Sequence, residues 1–183
     1  MKRKTAKEIL AESFRELADH IPIDKITIKE ITENCGYSTA TFYRQFRDKY
    51  DLIAWDYTRE LEANMSQFNG DMTTWKKVLL DAAHFFDGQK EYLANLFLHT
   101  SGLDSFITYM REINYNTLRK TIRKISGGTA PDEKTEMYIR IYVLGTVQLT
   151  CEWILEGHRR ADPEMLAEVY EHSLPEPLKQ YLK

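Results

Sequence analysis

Residues 27–49, TIKEITENCGYSTATFYRQFRDK, decide how the first part of this chain folds. Thr27 is a helix N-cap, because its hydroxyl can accept an orphan amide proton of the first turn. Glu30 follows three positions later and completes a capping box. Ile28, Ile31 and Cys35 fall at i, i+3 and i+7, which is one apolar stripe. Gly36 comes next, where a left-handed helix stop costs least. Tyr37 anchors the turn. Ser38 caps a second helix, predicted over 39–46, and Asp48 caps a third that runs over 49–68. Phe42 and Phe46 are one turn apart and should face inward. Thr39, Ala40, Thr41, Tyr43, Arg44 and Gln45 then lie near the exposed side.

Two short helices around a glycine turn have the outline of a helix-turn-helix, a unit that places its second helix in a DNA groove. The side chains suit that task. Ser38 and Thr41 are short donors and acceptors, and Thr39 and Ala40 permit close approach to base edges. Tyr43 and Lys49 can hold phosphates. Arg44 and Gln45 have the reach and geometry for purine edges in a major groove. An ordinary αα corner shares the outline, but three capped helices with a polar outer face favour the reading head.

Outward from this stretch, 183 residues suffice for one domain or two small ones. Hydrophobic content of 43% and charged content of 29% are those of an ordinary globular chain. The net charge of −3 argues against a non-specific nucleic-acid coat. It leaves room for a reader, which needs only local positive charge. Such charge stands at Lys2, Arg3, Lys4 and Lys7, and again at Arg44, Arg47 and Lys49. Lys2-Arg3-Lys4 suits either an arm along DNA or a solubilising tail.

Cys35 and Cys151 fall on apolar helix faces and read as buried thiols rather than a bridge. No secretory h-region follows Met1, and Arg140, Gln148 and Glu152 interrupt the most apolar run. The expected location is the cytoplasm, with no membrane partner.

The remaining pattern is helical. A first helix is predicted over 6–19, with Thr5 and Glu8 as a second capping box. Further helices are predicted over 74–88, 90–98, 103–125, 132–157, 163–172 and 177–182. No window shows sustained strand alternation, so the class is all-α: an N-terminal three-helix helix-turn-helix domain plus a C-terminal helical domain. The division falls at Asn69-Gly70-Asp71, giving domains 1–68 and 72–183. The helix over 132–157 is apolar on nearly all sides and needs cover on nearly all sides. A second copy of the chain would supply it, in a four-helix bundle with the helix over 163–172. Leu144, Gly145, Gln148, Trp153, Leu166 and Tyr170 are its expected interface residues. A central helix within one monomer is the other solution.

Catalytic signatures do not stand out. The sequence has no GxSxG elbow, HExxH, CxxC or phosphate-cradling glycine loop. His84 and His99 are not spaced as a metal pair, and no cofactor or metal is expected. A helical enzyme with its site among Tyr109, Tyr138, His84 and His99, or an interaction module without a DNA role, is the rival class.

The pattern Thr27, Ile31, Cys35-Gly36-Tyr37-Ser38, Thr41-Phe42-Tyr43, Phe46, Lys49 and Leu52 resembles the TetR family of bacterial transcriptional regulators. The preceding helix, with Ile9, Leu10, Phe14 and Leu17, belongs to the same likeness, which covers about the first sixty residues. The resemblance implies that Thr27 and Lys29 lie near the DNA backbone or groove edge. It implies that Thr39, Ala40, Arg44 and Gln45 face bases, and that Ser38, Thr41, Tyr43 and Lys49 hold phosphates. Thr32 and Ala40 depart from the commonest residues at their positions, so the bases read are not implied. The resemblance further implies a homodimer on a palindromic operator of double-stranded DNA. It also implies an effector pocket in the second domain, for which Phe85, Phe86, Phe97, Phe106, Tyr109, Met110 and Tyr138 are the candidates. The expected action is that of a ligand-responsive repressor. A shorter likeness, Trp153-Ile154-Leu155-Glu156-Gly157 followed by Asp162-Pro163-Glu164, resembles a TetR subgroup linked to dihydroxyacetone kinase operons. That subgroup implies the alternative, an activator addressed by a kinase-like partner protein rather than by a free metabolite.

Overall fold

The computed structural model describes residues 4–102, 105–156 and 161–181. Lys2 and Arg3 of the basic terminus and Gly157 of the tryptophan-glycine motif lie outside them. Among the described residues, regular structure is helical throughout, in the order α1 Ala6–Ala18, α2 Ile28–Asn34, α3 Thr39–Tyr43, α4 Lys49–Met65, α5 Met72–Gly88, α6 Lys90–His99, α7 Phe106–Ile125, α8 Glu133–Leu155, α9 Pro163–His172 and α10 Glu176–Lys179.

Side-chain caps set most of the starts. Thr5 and Thr27 form reciprocal capping boxes with Glu8 and Glu30. Ser38, Asp48, Asp71, Asp132 and Asp162 each accept an amide proton three residues on. The α2 stop is a Schellman motif: the Tyr37 amide donates to Thr32 O at 2.8 Å and the Gly36 amide to Glu33 O at 3.2 Å, with Gly36 at φ +72°. Thr32 is buried and donates its hydroxyl to the Ile28 and Lys29 carbonyls at 3.0 Å, which makes a polar residue acceptable there.

Some boundaries differ from the sequence expectation. The second helix of the motif ends at Tyr43 rather than at 46, and the amides of Gln45 and Phe46 both close on Phe42 O. The helix from Lys49 stops at Met65 rather than at 68. Asp71 starts α5 at Met72, two residues earlier than expected. The start of α7 is Phe106; positions 103–104 of the expected helix lie outside the described residues.

Leu10, Phe14, Ile23, Ile26, Ile31, Phe42 and Leu52 close the small core under α1 to α4. In the second half α5 packs extensively on α9, and α7 on α8. α6 touches both halves: it packs on α1 on one side and on α5, α7 and α8 on the other. Both cysteines are free thiols; Cys151 is buried and Cys35 half-buried. No helix among the described residues is long and apolar enough to cross a membrane.

Candidate nucleic-acid interface and internal cavity

The α2–α3 unit presents a polar outer face. Phe42 and Phe46 are buried under it, with ring centroids 5.7 Å apart. This fixes the helix rotation and turns Thr39, Ala40, Tyr43 and Arg44 to the exterior. Tyr43 is 60% exposed although it touches Phe42 edge-on, so its hydroxyl end stands clear of the surface. Thr27, Lys29 and Ser38 are exposed; Thr41 and Gln45 are half-buried. Arg44 lies back along its helix, donating to Ala40 O at 3.3 Å and to Thr41 Oγ1 at 3.2 Å. Both contacts are exposed and cost little to exchange for a base or phosphate.

Lys49 is placed differently from the other nine. Its ammonium points into the α1–α2 connection and donates to Ile23 O, Asp24 O and Ile26 O at 2.8, 3.0 and 2.9 Å. All three donors are occupied, and burial pulls its pKa down. In this geometry Lys49 organises the base of the reading head, and a phosphate would have to displace a carbonyl.

A cavity of about 90 Å3 lies between α4, α5, α7, α8 and α9. Its walls include Trp75, Phe86, Met110, Tyr142, Val147 and Tyr170. Of the expected pocket residues, only Phe86 and Met110 line it. The Phe97 and Phe106 rings meet at a 54° tilt with centroids 5.2 Å apart, and Phe106 also meets Tyr57 edge-on at 5.5 Å. These rings fill the region where α4, α6 and α7 meet, so they are core. Phe85 lines a separate groove beside α4, and Tyr109 and Tyr138 line neither space. The sequence reading missed Trp75, Tyr142 and Tyr170, because aromatic residues on separate helices carry no mark of converging. His84 approaches Glu164 at 3.3 Å and His99 approaches Asp24 at 3.5 Å, so neither histidine joins the cavity.

Half of the expected interface set faces the other way. Trp153, Leu166 and Tyr170 are buried within the chain: Trp153 donates its indole N–H to Ala161 O at 3.1 Å, and Tyr170 donates to Thr146 O at 3.0 Å. They lie on the faces of α8 and α9 that the chain's own core covers. Leu144, Gly145 and Gln148 remain exposed, on one stripe with Met137 and Ile141, the last 64% exposed. On α9, Met165 and Val169 are exposed one turn apart.

Comparison with known proteins fits this architecture. Residues 9–54 match the family described as "Bacterial regulatory proteins, tetR family". Residues 73–174, more than half the chain, match "Transcriptional regulator C-terminal region" of the same family. A curated relative, the HTH-type dhaKLM operon transcriptional activator DhaS of Lactococcus lactis subsp. lactis (strain IL1403), is 22% identical over 154 residues, covering 82% of this chain and 80% of that one. Among solved structures, a dihydroxyacetone kinase operon activator DhaS superposes with a TM-score of 0.67 at 17% identity, over 97% of this chain and 98% of the other. A TetR transcriptional regulator from Rhodococcus sp. RHA1 gives 0.64 at 16% identity, over 96% and 98%. FadR of Thermus thermophilus, a TetR-family repressor in complex with lauroyl-CoA, gives 0.57 at 16%, over 92% of each chain. With both halves matched and the fold shared, the chain belongs to the TetR family and is a DhaS-like, all-α, helix-turn-helix DNA-binding transcriptional regulator, not an enzyme.

Proposed function

We propose that this regulator acts as a homodimer on a palindromic operator, with residues 1–68 as the reading domain and 72–183 as the dimerising and effector-binding domain. Thr39, Ala40, Arg44 and Gln45 meet bases, while Thr27, Lys29, Ser38, Thr41 and Tyr43 hold the backbone. The observation that carries this is the outward face of α3, where the two buried phenylalanines leave short polar side chains, Tyr43 and Arg44 turned to solvent. Dimerisation is supported by the exposed apolar stripe Met137, Ile141, Leu144 on α8, beside Met165 and Val169 on α9. Two-fold symmetry would set the two heads about 34 Å apart, one turn of duplex. A small-molecule effector in the α4–α9 cavity makes it a ligand-responsive repressor in the cytoplasm.

A second reading is favoured by the relative whose printed name is that of a transcriptional activator of the dhaKLM operon. On that reading the chain activates, and a kinase-like partner protein addresses its C-terminal half.

Selection of bound fragments from genomic DNA, followed by salt titration on the winner, tests the shared core of both readings. Specific binding that weakens steeply with salt supports it; binding to no fragment, or binding indifferent to salt, overturns it. Transcription from that fragment with and without the protein then separates repressor from activator.

A further inference from the structure

Between α7 and α8 lies a groove of about 450 Å3, open to solvent. Its chemistry is the opposite of that of the α4–α9 cavity, whose walls carry no lysine, arginine, histidine, aspartate or glutamate among the described residues. α7 supplies Arg111, Glu112 and Tyr115 to the groove, and α8 supplies Arg140, Val143 and Leu144.

Neither arginine of the groove has an ion-pair partner among the described residues, whereas Arg15, Arg47, Arg59 and Arg119 each lie within 4.0 Å of an acid. Arg111 is half-buried and donates from Nη2 to the side-chain oxygen of Gln148 at 2.8 Å, which is a neutral acceptor. Arg140 is exposed and stands 4.2 Å over the Tyr115 ring. Such a stack steadies a guanidinium and leaves its in-plane N–H donors open. Glu136, one turn earlier on α8, is already taken. Arg119 donates to it at 2.6 Å and the Tyr115 hydroxyl at 3.2 Å. The ring that supports Arg140 is therefore itself held in place. Two guanidiniums without an acid, on the walls of one groove, are a place for a carboxylate brought from outside.

Charge narrows the class. The groove holds two cations and one acid, Glu112, so it suits a single negative charge. A phosphate dianion or a polyphosphate would meet Glu112 with more repulsion than the two arginines are placed to offset. Val143 and Leu144 add an apolar edge. We propose that the α7–α8 groove is a ligand site for a small monocarboxylate with an apolar body. Its carboxylate pairs with the Arg140 fork in the field of Arg111, and its body lies against Val143 and Leu144. This site is separate from the effector reading above, so neither a filled nor an empty α4–α9 cavity decides it.

The test titrates the full chain with three probes of similar shape, each followed from its own NMR spectrum: benzoate, benzamide without the charge, and benzylammonium with the opposite one. Benzoate is expected to saturate in the millimolar range usual for so small a ligand, and to bind roughly ten-fold tighter than benzamide. Benzylammonium should not bind. Arg140→Gln should weaken benzoate about ten-fold, and Arg140→Lys, which keeps the charge and loses the fork, should fall between the two. Glu112→Gln should strengthen benzoate about two-fold, a gain that a damaged fold would not produce. Arg123 is exposed and bonds Gly128 O outside the groove, so Arg123→Gln removes the same net charge and should leave benzoate binding unchanged. The proposal is overturned if benzamide binds as well as benzoate, if Arg123→Gln costs as much as Arg140→Gln, or if benzoate fails to bind by about 50 mM. Sedimentation of Arg140→Gln adds one more outcome. Loss of a wild-type dimer, with no benzoate bound to wild type, would assign the groove to a carboxylate of a second copy and overturn the small-ligand site.

Discussion

Asn95 of α6 is bonded to the last residue of α1 and to the backbone that follows it through three hydrogen bonds. Its amide donates to Ala18 O at 2.7 Å and to Ile21 O at 2.9 Å, and its oxygen accepts the Ile23 amide proton at 3.1 Å. Beside it, Phe14 of α1 meets Tyr92 of α6 edge-on, and Arg15 stacks over the same tyrosine at 5.7 Å. α6 is therefore tied to the reading domain at a point far along the chain from α4. α4 packs on α1, α5 and α7 and so joins the two halves, and α6 supplies a second strut between them. Replacing Asn95 with Leu leaves two carbonyls and an amide without partners. Stability to urea should fall by about 1–3 kcal/mol, and an unchanged midpoint would show that the clamp holds nothing.

Gly36 sits at φ +72°, and a methyl group on its α-carbon would meet no atom within 4 Å, so its requirement is purely one of backbone conformation. Gly36→Ala should cost roughly 1–2 kcal/mol, and Gly36→Asn less, because asparagine tolerates the left-handed region. Urea titration of the two variants checks the order; equal losses would contradict it.

Lys49→Met removes the donor from three carbonyls at the base of the reading head. We expect a loss of about 1–3 kcal/mol of stability, with DNA affinity lowered through the fold. Tyr43→Phe probes the proposed phosphate contact without that complication, because its side chain is mostly exposed. It should leave the urea midpoint in place and weaken operator binding a few-fold. A midpoint that moves would show that the Tyr43 hydroxyl is bonded within the fold.

The capping carboxylates set the response to acid. Glu30 is held below the ordinary carboxylate range by the Thr27 hydroxyl and then the Thr27 backbone, Asp71 by the Thr74 backbone, and Asp132 by the Thr135 side chain and then its backbone. A depressed native pKa means that the cap's contribution is complete above the unfolded value, near 4, and lost as pH falls through the native one. Glu30→Gln should therefore be less stable than wild type at neutral pH, with the gap narrowing below about pH 4. A gap that widens in acid would reverse the assignment.

For the dimer, Ile141→Glu places a charge on the exposed apolar stripe of α8. Sedimentation should show wild type sedimenting as a dimer and the variant as a folded monomer at micromolar concentration. A wild-type monomer, or an unperturbed variant dimer, rejects this face.

Much of the fold was legible from local chemistry. The Thr27–Glu30 pair, Gly36, Ser38 and Asp48 marked the helix starts and the turn of the helix-turn-helix, because caps and left-handed stops are written in adjacent residues, whereas the ends of α3 and α4 carry no such mark. The sites in the second half were not, because they depend on which faces meet. Trp153, Leu166 and Tyr170 share the apolar character of Leu144 and Ile141, and periodicity cannot say which of them the chain's own core will cover. Phe97 and Phe106 looked like Phe86, yet they fill space while Phe86 borders it. Asn95 gave no signal, since its partners are carbonyls more than seventy positions away.

The most direct test of the central claim is footprinting on the selected operator, comparing wild type with Arg44→Ala and Gln45→Ala across a range of salt. Wild type should protect two symmetric half-sites about one helical turn apart. Each variant should lose roughly 1–3 kcal/mol of discrimination at a matching base pair in both half-sites, with little change in affinity for unrelated DNA. A single unsymmetric footprint, or variants that weaken every sequence equally, would contradict a two-headed reader built on α3.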